Sequence, residues 1–120
     1  MTEKLNNKPA LQGMGASAGE ATGPVYLYNP ADDIDSLAES FVLVTQITDP
    51  TMVFAMEKAS AIVTDIGGLA SHPAILSREL GIPCVVATGT ATSILKTGDI
   101  VTVNGTDGTV YVISTNHDEA

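Results

Sequence analysis

A chain of 120 residues is the size of one domain with a single core, and with no tryptophan and few aromatics that core must rest on Val, Ile, Leu, Ala and Met. The formal net charge of −9, with Lys4, Lys8, Lys58, Arg78 and Lys96 as the only cations, argues against nucleic acid and anionic membranes as partners, because both select basic surfaces. One cysteine, Cys84, excludes an internal disulfide, the two histidines and the cysteine make no zinc spacing, and no apolar run reaches membrane-spanning length; the expectation is a soluble, cytoplasmic domain.

Residues 1–10 are polar and read as a loose N-terminus. Gly13, Gly15, Gly19 and Gly23 then punctuate the approach to an apolar strand over Val25–Tyr28. Asn29–Glu39 is acidic and reads as a loop with a short helical turn, before a strongly apolar strand over Phe41–Thr45. Asp49 and Pro50 read as the cap and first turn of a helix over Thr51–Ala59, with Val53 or Met52 joining Met56 and Ala59 on its buried face. Ala61–Thr64 is a short buried strand ending in Asp65-Ile66-Gly67-Gly68. A second helix spans Pro73–Leu80, with Gly81 at its C-terminal turn and Pro83 preventing continuation. Cys84–Ala87 is a third buried strand, Thr88–Thr92 a loop and Ser93–Lys96 a turn. Ile100–Val103 and Thr109–Ile113 are the arms of a hairpin around Asn104-Gly105-Thr106-Asp107-Gly108. Residues 115–120, with His117, form a polar tail. The pattern is mixed α/β.

The chemically informative segment runs from Asp65 through Gly67, Gly68, Ala70 and Ser71 to His72 and Pro73. Paired glycines after a strand allow a sharp turn and leave room for a bulky group. His72 then stands at or beside a helix N-terminus, where free N–H groups and the helix dipole favour an anion such as a phosphorylated imidazole. With an ordinary pKa of roughly 6.5, imidazole keeps a lone pair near neutral pH and needs no separate base to attack phosphorus. One ring nitrogen must be free and the other oriented, by Ser71 or by a backbone carbonyl. The plainer alternative is a capping or loop histidine.

The stretch TDIGGLASHPAILSRELGIPCVVAT, from Thr64 to Thr88, resembles the mobile phosphohistidine domain of phosphoenolpyruvate (PEP)-utilising enzymes. LQGMGASAGEATGPVYL is similar to that family's glycine-rich opening strand, and LKTGDIVTVNGTDGTVYVI to its closing hairpin. The resemblance implies a swivelling β/β/α domain over residues 11–114. It places the phosphorylated histidine at His72, the paired glycines of the phosphate loop at Gly67 and Gly68 beside Ser71, an arginine that assists the phosphohistidine at Arg78, and a threonine contacting the same group at Thr48.

Such a domain carries no complete active site and binds no cofactor or metal itself. Mg²⁺ and ATP or phosphoenolpyruvate are expected on partner subunits, one nucleotide-binding and one binding PEP or an acceptor. With the domain filling the chain, the expectation is a separate carrier subunit of a split phosphotransferase, for which phenylphosphate synthase is a precedent. The alternative is a regulatory or partner-binding module that keeps the fold without the chemistry.

Two positions depart from the family pattern: Ala70 replaces the usual hydroxyl or amide residue, removing a regulatory phosphorylation point, and Pro73 replaces a small residue while still suiting a helix start. Arg78 lies about 9 Å of helical rise beyond His72, within reach of a long side chain leaning back toward the N-terminus. Its alternative is an ion pair with Asp65 or Glu79. Asp65 either orients His72 or caps a turn. Cys84 reads as packing, and Asp99 and Asp107 as turn residues.

Overall fold

The computed structural model describes residues 8–37, 40–48 and 50–115. Glu39, Asp49 with its expected capping role, and the tail containing His117 lie outside the described residues. Within them, the strands are β1 (Leu11–Gln12), β2 (Met14–Ser17), β3 (Glu20–Leu27), β4 (Phe41–Thr45), β5 (Ala59–Thr64), β6 (Cys84–Val86), β7 (Ile100–Asn104) and β8 (Thr109–Ser114). The helices are α1 (Val53–Lys58), α2 (His72–Leu80) and α3 (Ala91–Ile94), and a 3₁₀ turn at Ile34–Ser36 supplies the short helical turn expected in the acidic loop.

The strands form one mixed sheet in the order β1-β8-β7-β3-β4-β5-β6-β2. β3, β4, β5 and β6 run parallel, and the remaining pairings are antiparallel. Both ends of this order come from one stretch of chain, because only Gly13 separates β1 from β2. The sheet therefore curls until its ends meet, and neither end is left as a long bare edge.

β4 and β5 show why the sequence reads as continuous apolar runs there. Val42 and Val44, with Ala61 and Val63, point into one core shared with Val101, Val103 and Val110. Leu43 and Ile62 point the other way, into a second core under Met52, Ala55, Met56 and Ala74 of the helical layer. A strand buried on both faces needs apolar residues at every position.

Four expectations need correction. The opening glycine segment is not only an approach to β3: Met14–Ser17 is a strand paired with β6, and β3 begins at Glu20. Its small residues carry little strand propensity, so the pairing is decided by the hairpin packed against it. Gly105 is the tightest point of that seam, since a Cβ there would overlap the Ser17 carbonyl oxygen. The turn expected over Ser93–Lys96 is instead helix α3, starting at Ala91.

The helix expected over Thr51–Ala59 is also shorter, a 3₁₀ turn at Pro50–Met52 followed by six α-helical residues. Of its two candidate faces the one through Met52, Met56 and Ala59 is buried, with Ala55 added. α2 starts one residue earlier than expected, at His72, and ends at Gly81 in the left-handed region at φ 76°.

Candidate functional site

The site lies where two parallel strands end side by side. β4 and β5 are in register through Thr45 and Thr64, and the chain beyond them stays paired, Asp65 N donating to Thr45 O at 3.2 Å and Ile66 N to Gln46 O at 3.0 Å. This carries Thr48, three residues past β4, beside His72, eight residues past β5. Thr48 is buried, and its Oγ1 lies 2.8 Å from His72 Nδ1. No hydrogen bond to Nε2 forms among the described residues. The half-buried imidazole is thus gripped at Nδ1, and among the described residues nothing holds Nε2.

Ser71 does not orient the ring. Its hydroxyl donates to Gly68 O at 2.6 Å and its amide to the same oxygen at 3.1 Å, closing the turn that leads into α2. Gly67 needs to be glycine because its φ is +143°, a region closed to residues with a Cβ. Gly68 is different: a Cβ there would meet nothing within 4 Å, so the chain leaves its approach open.

Arg78 leans back along α2 as its position allows, but its donors end on carbonyl groups. Nε donates to Ala16 O on β2 at 2.7 Å, and Nη2 to Leu69 O at 2.6 Å in the loop before His72. The alternative pairing of Arg78 with Asp65 is overturned by what Asp65 does. Its carboxylate accepts from Thr92 N at 3.1 Å and Thr92 Oγ1 at 2.6 Å, capping α3 rather than orienting His72. Asp65 and Thr92 therefore hold the base of the histidine loop against α3. Sequence reasoning missed this link, since 27 residues separate the partners and Thr92 carries no motif.

The segments 46–48 and 66–71 carry no charged side chain, and they present Ile47, Ile66 and Leu69 to solvent. Ile75 is exposed one helical turn beyond His72, and Phe54 is 74% exposed on α1. Among the described residues, His72 is thus flanked by two uncharged, largely apolar segments, with the Arg78 guanidinium as the nearby charge. Cys84 lies fully buried under α2, where burial pushes its thiol up to about 11 despite Ser77 and Arg78 nearby. It packs rather than reacts. Asp99 is a turn residue, its carboxylate accepting from Lys96 N at 3.0 Å, and Asp107 bonds within the hairpin turn. No group of three or more His, Cys, Asp or Glu that could hold a metal converges among the described residues. No helix among them is long and apolar enough to cross a membrane.

A family model for the mobile domain of PEP-utilising enzymes matches residues 37–108. The chain belongs to that family. It is 58% identical over 101 residues to a probable phosphoenolpyruvate synthase from Pyrococcus horikoshii, an alignment covering 84% of this chain and 12% of that protein. It is 43% identical over 112 residues to an uncharacterised phosphotransferase, YvkC, of Bacillus subtilis, covering 93% of this chain and 14% of that one. The chain therefore spans only about an eighth of the length of these curated relatives. Among solved structures it resembles Enzyme I (nEIt) at TM-score 0.59 and 37% identity, over 68% of this chain and 34% of that one. The holo-form of aconitase X from Thermococcus kodakaraensis shares the fold at TM-score 0.67, with 23% identity over 89% of this chain and all of that one. The α/β architecture is that of the swivelling β/β/α phosphohistidine domain.

Proposed function

We propose that this mobile domain is a phosphoryl carrier whose His72 is loaded at one partner site and discharged at another. The observation that carries the reading is the grip on the imidazole, Thr48 on Nδ1 with no partner for Nε2 among the described residues. When the threonine hydroxyl accepts from Nδ1–H, the lone pair sits on Nε2. That lone pair attacks the donor's phosphorus, the N–P bond forms, and the bond from phosphorus to the donor oxygen breaks with its electrons leaving on that oxygen. Discharge is the same exchange with an acceptor oxygen as nucleophile, and it returns the lone pair to Nε2.

The surroundings suit a carrier that docks. Segments 46–48 and 66–71 beside His72 carry no charged side chain, the Asp65 carboxylate is engaged by Thr92, and Arg78 donates to two carbonyls. These residues do not fit a magnesium or nucleotide site, so cations for the transferring phosphoryl group come from the partners, one binding nucleotide and one binding PEP or another acceptor. The exposed Ile47, Ile66, Leu69 and Ile75 give those partners apolar surface to cover. The relatives support partners of this kind, since the matched region is a small part of much longer chains.

The same apolar rim would serve a partner-binding module without group transfer, and one experiment separates the two. The chain is incubated with its cognate partner subunits and ATP or PEP, and the product is mapped by mass spectrometry under alkaline conditions. The carrier reading expects an acid-labile, base-stable phosphoryl group on His72, absent from His72→Gln. Phosphorylation persisting in that variant, or none on His72 with active partners, would overturn it.

A further inference from the structure

We propose that Arg78 is a positioning residue for the carrier site, acting through the Leu69 carbonyl on the histidine loop rather than by its charge on the phosphoryl group. The inference rests on the carrier reading of His72 for its purpose, and on the geometry of the loop for its substance.

From Ile66 to His72 no side chain is fully buried: Ile66, Leu69 and Ala70 are exposed, and Gly67, Gly68, Ser71 and His72 are only partly covered. A segment without buried side chains depends on its hydrogen bonds for a fixed shape. Ser71 ties its own turn to Gly68, and Ile66 N ties the start of the loop to Gln46. Between those anchors, Leu69 O is held by Arg78 Nη2 at 2.6 Å. The same guanidinium is fixed from the other side, Nε donating at 2.7 Å to Ala16 O of β2, which is itself paired to β6. Arg78 therefore transmits the position of the sheet to the tip of an otherwise loose loop, three residues before the imidazole. Two acceptors on different segments are met at once by the planar fork of a guanidinium. An ammonium on a flexible stem supplies the charge without that fork.

The clamp and a purely electrostatic role diverge in Arg78→Lys. Two measurements on the full chain read the difference: amide hydrogen exchange at Ser71, and the ratio of Nε2- to Nδ1-phosphohistidine after loading with phosphoramidate. In that loading a ring nitrogen attacks phosphorus and ammonia leaves.

The clamp expects Arg78→Ala and Arg78→Lys alike to speed Ser71 exchange by about tenfold, the scale of one lost charge-assisted hydrogen bond. Both should also raise the share of Nδ1-phosphohistidine, as a looser loop lets the ring leave Thr48. Wild-type exchange and isomer ratio in Arg78→Lys would overturn the clamp in favour of charge, and unchanged values in both variants would overturn it outright. A wild-type chain that takes no phosphoryl group on His72 counts against the carrier reading alone, and Ser71 exchange still decides the clamp.

Discussion

Replacing Thr48 by valine removes the hydroxyl and almost nothing else. The side chain is 6% exposed, so the isosteric methyl keeps the packing while the 2.8 Å contact to His72 Nδ1 disappears. A net hydrogen bond of this kind contributes about 1 kcal/mol. That is about fivefold in the ratio of the two imidazole tautomers. Because the hydroxyl accepts from Nδ1–H in the carrier reading, the ratio of Nδ1- to Nε2-protonated ring should fall by about that factor in Thr48→Val, and Thr48→Ser should restore it. Long-range ¹H–¹⁵N correlation spectra of the neutral His72 ring report the tautomer directly. Thermal unfolding serves as the control, with a change in Tm of only a few degrees expected for about 1 kcal/mol. A wild-type ring with its proton on Nε2 would refute the assignment of Nε2 as nucleophile. Identical ¹⁵N shifts in wild type and Thr48→Val would refute the claim that Thr48 orients the ring.

Gly105→Ala places a Cβ on the Ser17 carbonyl oxygen and 2.8 Å from Cys84 N, all backbone, so urea denaturation should show a loss of about 3 kcal/mol or more. Gly68→Ala meets nothing and should stay within about 0.5 kcal/mol of wild type, and a large loss there would contradict the open approach to the loop. Ala87 is exposed at φ 61°, where an L-residue is strained by about 1–2 kcal/mol and glycine is not, so Ala87→Gly should stabilise by about 0.5–1 kcal/mol after its entropy cost. A lower Tm for Ala87→Gly would contradict this. Cys84 should resist thiol reagents in the native state and react on unfolding. Its thiol is pushed from 9.0 to about 11, so the stability it contributes is complete below pH 9.0 and lost as pH rises toward 11. That loss amounts to about 2–3 kcal/mol and should be shallower in Cys84→Ala. An identical alkaline limb in both proteins would remove Cys84 as its cause.

The sequence by itself determined the elements whose reasons are local. Phe41–Thr45 reads as a strand at its observed bounds because both of its faces are buried, and α2 ends where Gly81 can take a positive φ. The helix start was legible to within one residue, Pro73 expected against His72 observed, from paired glycines followed by a proline. The tertiary structure decided everything that joins distant segments. Met14–Ser17 becomes a strand only because β6 pairs with it and the glycines of the β7–β8 turn pack against it. Asp65 turns to Thr92, and Arg78 to Ala16 and Leu69, because the folded sheet sets those partners within reach and leaves their polar groups in need of one another. Thr48 meets His72 across 24 residues for the same reason: two parallel strands in register end together, and no spacing in the sequence encodes that register.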